Sequence, residues 1–101
     1  MNLAFGHIYN AGIAVRRLKI TARTGGGHSW IHFGRPSAIH AIMQLGNRIS
    51  HMKVSESPRT TFNIGIIEGG QSINTIAAAA SMWLDLRSTE PDSLLMLEET
   101  V

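Results

Sequence analysis

Among the 101 residues, three places carry side chains whose types could do chemistry: a histidine behind a glycine run, an asparagine in a loop, and an arginine near the C-terminal end. His28 follows Gly25-Gly26-Gly27. Glycine admits backbone conformations that other residues avoid, and such loops can deliver a side chain to a ligand; they also serve as ordinary flexible surface. His28 and His32 have the His-x-x-x-His spacing, which on a helix puts two metal ligands on one face. The glycines before this segment, and Gly34 and Pro36 after it, argue against a helix, and no carboxylate stands near enough in sequence to complete a metal site. Arg87 offers the planar fork that can clamp a carboxylate through two parallel hydrogen bonds. An ion pair with Asp85, Glu68 or the acidic C-terminal segment competes for it. Asn74, shortly after Gly69-Gly70, suits either a turn or a ligand contact. No Ser/His/Asp triad, phosphate loop or dinucleotide fingerprint is present.

These residues need elements to position them. Leu3–Tyr9 reads as a strand ending at the Asn10-Ala11-Gly12 turn signal. Ile13–Arg23 alternates: Leu18, Ile20 and Ala22 share one parity, Arg17, Lys19 and Thr21 the other. That is the pattern of a sheet with one buried face. The chain is then loop-like from Gly25 to Gly34. Pro36 is read as the first residue of a helix, where its missing N–H costs nothing. Ala38, Ile39, Ile42, Leu45, Ile49 and Met52 follow at helical spacing, with His40 beside the stripe and His51 facing solvent. Gly46 weakens this helix or lets a neighbouring backbone approach. Ser55–Pro58 is a linker.

Thr60–Glu68 is read as a strand with Phe62, Ile64 and Ile66 on one face. Ala79–Arg87 is the next, with Met82, Leu84 and Leu86 opposed to Ser81, Trp83, Asp85 and Arg87. Ser88 or Thr89 caps a helix beginning near Glu90, with Leu94, Leu95 and Leu97 as its stripe. This order predicts an α+β two-layer sandwich, an antiparallel sheet with two helices on one face. A ferredoxin-like arrangement needs one more strand after the second helix. A domain lacking that final strand leaves an edge or core face uncovered.

Length permits one domain, and the absence of Cys excludes disulfides, cysteine zinc sites and a thiol nucleophile. It also suits a cytoplasmic protein. No apolar run is long enough to span a bilayer, and Met1–Gly6 is not a secretory signal. The net charge of +2 hides an asymmetry: up to Arg59 there are eight basic residues against Glu56 alone, and beyond it Arg87 stands against six acidic residues. A fold that joins the halves neutralises both, which speaks against a phosphate-binding patch and a nucleic-acid partner.

Three segments together resemble a known family. They are Thr24-Gly-Gly-Gly-His28-Ser-Trp with Gly34-Arg-Pro-Ser-Ala-Ile-His40; Asn63-Ile-Gly-Ile-Ile-Glu-Gly-Gly70; and Ser72-Ile-Asn-Thr-Ile76 leading to Leu84-Asp-Leu-Arg87-Ser. They are similar to the dimerisation, or lid, domain of zinc-dependent peptidases and deacylases such as carboxypeptidase G, aminoacylase and acetylornithine deacetylase. The resemblance implies a lid inserted into a catalytic domain with two zinc ions, pairing with a second lid through helix and edge strand. It implies that His28 reaches the partner subunit's active site and stabilises an oxyanion. It further implies that Asn74 and Arg87 hold the carboxylate of a peptide or N-acyl amino-acid substrate. The chain departs from the family at Ala78-Ala79, where Pro-Glu or Pro-Asp is common, which should loosen that turn, and at Trp30, where many members have a smaller residue. The family's zinc-ligand strand motif and catalytic Glu-Glu pair are absent, so the chain alone is expected to hold no metal and to have no turnover. Two other readings stand beside this one. The first is a small ferredoxin-like regulatory module binding an amino-acid effector at a dimer interface. The second, an RNA-binding α+β domain, is disfavoured because the sheet lacks paired exposed aromatics.

Overall fold

The computed structural model describes residues 2–10 and 12–100, with side chains from Gly12 onward. Six strands and two helices follow in the order β1 (Asn2–Asn10), β2 (Ile13–Arg23), β3 (Gly27–His28), α1 (Ala38–Ser50), β4 (Thr60–Gly69), β5 (Thr75–Ile76), β6 (Ala79–Ser88) and α2 (Pro91–Thr100). The main sheet is antiparallel throughout, in the order β1-β2-β6-β4. β3 and β5 pair as a separate two-stranded flap. Both helices pack on one face, α1 against β2, β4 and β6 and α2 against β2 and β6. The α+β two-layer prediction is therefore correct. β1 lies on the outer side of β2, the position that a ferredoxin-like order gives to its final strand. The edge expected to be open there is covered, while β4 forms the opposite edge.

The alternation in β2 and β6 sends Leu18, Ile20, Ala22, Ala80, Met82, Leu84 and Leu86 into the core. They meet Ala38, Ile42 and Ile49 of α1 and Leu94 and Leu97 of α2. Removing this much apolar surface from water is the main drive for the two layers to close. The charge halves meet as predicted. Arg16, on the helix side of β2, makes a forked pair with Glu98 of α2, Nη2 to Oε1 at 3.1 Å and Nε to Oε2 at 3.0 Å. On the open face Arg17 meets Asp85, Thr21 shares a 2.8 Å hydroxyl bond with Ser81, and the Lys19 ammonium sits 5.0 Å over the Trp83 ring.

Several local expectations are corrected. Pro36 does not begin α1: Ser37 is the N-cap, its Oγ accepting from the His40 N–H at 3.4 Å. The proline at a first helical position is Pro91 of α2, and Ser88 Oγ accepts from the Glu90 N–H just before it. Leu95 is exposed, so the α2 stripe is Leu94 and Leu97. In β4 the register shifts between Ile64 and Ile66, so a bulge at Gly65 turns Ile66 to the open face opposite Trp83. Ile67 takes the core-side parity instead, opposite Met82. Gly46 admits no close backbone, since the nearest atoms to an added Cβ are the ends of Ile64 and Met82 at 3.6 and 3.8 Å. The turn entering Ala78-Ala79 is not loose, contrary to expectation. Ala77 C=O accepts from the Ala38 N–H and the Thr24 hydroxyl, both at 2.9 Å, and Ala78 C=O accepts from the Thr24 N–H at 2.8 Å.

Candidate functional site

The β3–β5 flap extends from the end of the sheet at which β6 begins. Its base is fixed by the Thr24 bonds to Ala77 and Ala78. Gly26 and Gly27 carry the chain into it with φ of +70° and +145°, values that L side chains avoid. His28 then pairs with Thr75, and the Ser29 N–H donates to the Asn74 C=O at 3.0 Å. Two of the three predicted site residues, His28 and Asn74, are thus held side by side at one exposed tip. Ser72 Oγ donates to Asn74 Oδ1 at 3.0 Å, which leaves the Asn74 amide as a donor directed away from that bond.

The His28 ring has a defined proton position. Its Nδ1 accepts from the Trp30 N–H at 3.2 Å and, at the limit of a bond, from the Ile31 N–H at 3.5 Å. A ring nitrogen that accepts carries no proton, so the proton of the neutral ring is on Nε2. The exposed edge of His28 is a hydrogen-bond donor. Around it lie Trp30, Ile31, Phe33 and Ile73, with exposures of 86, 71, 90 and 106%. Four large apolar side chains this exposed beside a polar donor form a patch suited to burial against another surface.

Arg87 lies elsewhere. β6 runs eight residues from Ala79, at the flap end, to Arg87, about 26 Å at the rise of a strand. One chain does not bring Arg87 to the Asn74–His28 tip. Arg87 and Arg17 flank Asp85 on the open face, Arg87 Nε donating to Oδ2 at 2.8 Å and Arg17 Nε to Oδ1 at 3.2 Å. The competing ion pair with Asp85 is thus real, but it uses only the Nε groups. A cavity of about 590 Å³ opens beside this cluster, lined by Asn63, Ile66 and Trp83. Partial burial pushes the Asp85 carboxyl up, but hydrogen bonds and charge from Arg87 and Arg17 outweigh it, so its pKa lies below the usual aspartate value. The bond to Asp85 moves Arg87 the other way, above its ordinary value.

Sequence reasoning missed two partners. Arg17 reaches Asp85 because β2 and β6 pair in that register, which no local pattern encodes. The spacing of His32 from His28 raises a metal ligand as one reading, whereas its Nδ1 accepts from the His28 N–H at 2.9 Å. Among the described residues no three His, Asp or Glu side chains gather where they could hold a metal ion. No described helix is long and apolar enough to cross a membrane.

Comparison with known proteins places this two-layer α+β domain in a family. A family model described as the peptidase dimerisation domain matches residues 14–101. The chain belongs to that family. No curated protein sequence matches it. Among solved structures it is similar to an aminobenzoyl-glutamate utilization protein from Klebsiella pneumoniae, with a TM-score of 0.80 at 14% identity over 86% of this chain and 22% of that one. It is also similar to a hydantoinase/carbamoylase family amidase from Burkholderia ambifaria, with a TM-score of 0.78 at 24% identity over 87% and 22%. A third is the aminopeptidase PepT from Bacillus cereus, with a TM-score of 0.70 at 21% identity over 86% and 23%. The chain thus spans less than a quarter of the length of these structures, and the likeness is one of fold.

Proposed function

We propose that this domain is the lid of a dimeric zinc-dependent amide hydrolase, cytoplasmic in keeping with its lack of Cys. It serves a catalytic site carried outside the described residues. The zinc ions would supply Lewis-acid chemistry in that catalytic part. The lid's own residues bind, orient and donate. The carrying observation is the His28 ring, exposed at a flap tip with its proton held on Nε2. A donor fixed in that way, then buried against a second surface, is suited to stabilising the oxyanion that develops when an amide carbonyl is attacked. Asn74 enters with it, because both sit on one flap.

Arg87 and the flap stand at opposite ends of the sheet, so they can serve one substrate only if they come from different protomers. On this reading each site takes His28 and Asn74 from the partner's lid and Arg87 from its own. The Arg87 fork, with its outer amines free of Asp85, holds the carboxylate of a peptide or N-acyl amino acid.

The test is complementation in the intact dimeric enzyme. His28→Ala alone is expected to lower kcat about 10²–10³-fold, and unchanged kcat overturns the role. A mixture of H28A and R87A subunits is expected to recover roughly a quarter of wild-type activity, since each hybrid dimer keeps one complete site. A mixture of H28A and N74A is expected to recover none, because every site then receives a damaged flap. Equal recovery in both mixtures overturns the composite site.

A further inference from the structure

His32 shares a reciprocal pair of bonds with His28. The His28 N–H donates to His32 Nδ1 at 2.9 Å, and the His32 N–H donates to the His28 C=O at 2.8 Å. The His-x-x-x-His spacing therefore closes a single turn on itself. Because His32 Nδ1 accepts, the proton of its neutral ring is also on Nε2. The ring is half-buried against Gly27: a Cβ there, at φ +145°, would stand 2.9 to 3.1 Å from three His32 side-chain atoms. Gly27 thus both makes the turn and leaves room for the His32 ring.

We propose that His32 is a positioning residue for His28. Two restraints fix where the His28 Nε2–H is presented. The bonds from the Trp30 and Ile31 amides to Nδ1 set the ring torsion, and His32 Nδ1 sets the backbone from which the ring departs. Without the His32 ring the His28 amide turns to solvent, and one bond of the pair is lost. The flap is exposed and has few other ties, so nothing else among the described residues replaces that acceptor. The inference rests on the lid reading for its catalytic consequence but not for its geometry, and the two are tested separately.

The geometry is tested on this chain by amide hydrogen exchange and by nitrogen-15 spectra of the histidine rings. Both rings are expected in the Nε2–H form. In His32→Ala the His28 amide is expected to exchange about five- to tenfold faster, the effect of losing one ordinary hydrogen bond. His32→Asn, whose Oδ1 can take the place of Nδ1, is expected to restore most of the protection. Unchanged exchange in H32A, or no rescue by H32N, overturns the proposal whatever the enzyme does. In the intact enzyme H32A is expected to lower kcat about tenfold with KM little changed, since a misplaced donor weakens transition-state contacts more than binding. H32N recovers it, and the H28A/H32A double variant is no worse than H28A. Additive losses overturn a role acting through His28. If H28A itself leaves kcat unchanged, the lid reading fails, and the exchange data still decide the geometry.

Discussion

At the scale of single residues, the open face carries one carboxylate between two guanidiniums. Its depressed pKa has a sign that can be checked. A carboxyl lowered by folding contributes stability above the unfolded aspartate value, about 3.9, and loses it as pH falls through the folded value. Asp85 is lowered by Arg87 and Arg17. Asp85→Asn is therefore expected to be less stable than wild type near neutral pH, with the gap closing as pH falls below the ordinary aspartate range and through the lowered folded value. Urea titrations at several pH values measure this, and a gap that does not narrow as pH falls would mean that Asp85 acts through packing. The pair was only half legible in the sequence. Asp85 and Arg87, two apart on a strand, had to share a face. Arg17 joined them only through long-range register.

At the scale of elements, two glycines that look alike in sequence do different work. Gly46 lies in α1 with only ordinary side-chain contact awaiting a Cβ. Gly46→Ala is expected to stabilise the fold by about 0.5–1 kcal/mol, the helix preference of Ala over Gly. Gly69 ends β4 with Ala80 Cβ 2.7 Å and Ile39 3.1 Å from an added Cβ. Gly69→Ala must push β4 from β6 and from α1 and is expected to cost about 1–3 kcal/mol. Thermal unfolding separates them: the first should raise Tm by several degrees and the second lower it further. The reverse order would mean that the spacing of β4 from β6 and α1 is slack.

The strands and helices themselves were readable, because a period of two and a period near four report directly on which face meets the core. The β4 bulge was not: the run Ile64-Gly65-Ile66-Ile67 fits either parity until a partner strand fixes the register. The Pro36 and Pro91 exchange has a similar cause. Both prolines fit a helix start, and only the cap at Ser37 shows that Pro36 lies outside α1. For the candidate site, the family resemblance singled out His28, Asn74 and Arg87 but carried no distance between them. The separation of Arg87 from the other two comes from the length of β6.

At the scale of the whole molecule, the proposed pairing of two lids needs a surface. The sheet order leaves β4 at an edge, with Ile66 and Ile67 exposed at 53 and 56%. An exposed edge with apolar side chains is a template for pairing with another chain. α1 runs along the same side. Its Ile39 approaches the Gly69 and Gly70 positions and its Gly46 position approaches Ile64, so Met43, one turn from each, falls at the level of Ile67. Met43 is 58% exposed. The helix and the edge strand thus present one continuous apolar stripe, and pairing along it extends the sheet while covering the side of α1. Met43→Glu and Ile67→Lys are each expected to shift the chain from dimer to monomer by at least tenfold in dissociation constant, measured by sedimentation over a concentration series. Leu95→Lys serves as the control. Leu95 is also exposed, at 46%, but α2 packs on β2 and β6. That variant should leave the equilibrium unchanged. Loss of the dimer in the Leu95 variant alone would move the interface to α2, and the composite site would then need a different pairing to bring the flap of one lid toward the Arg87 of the other.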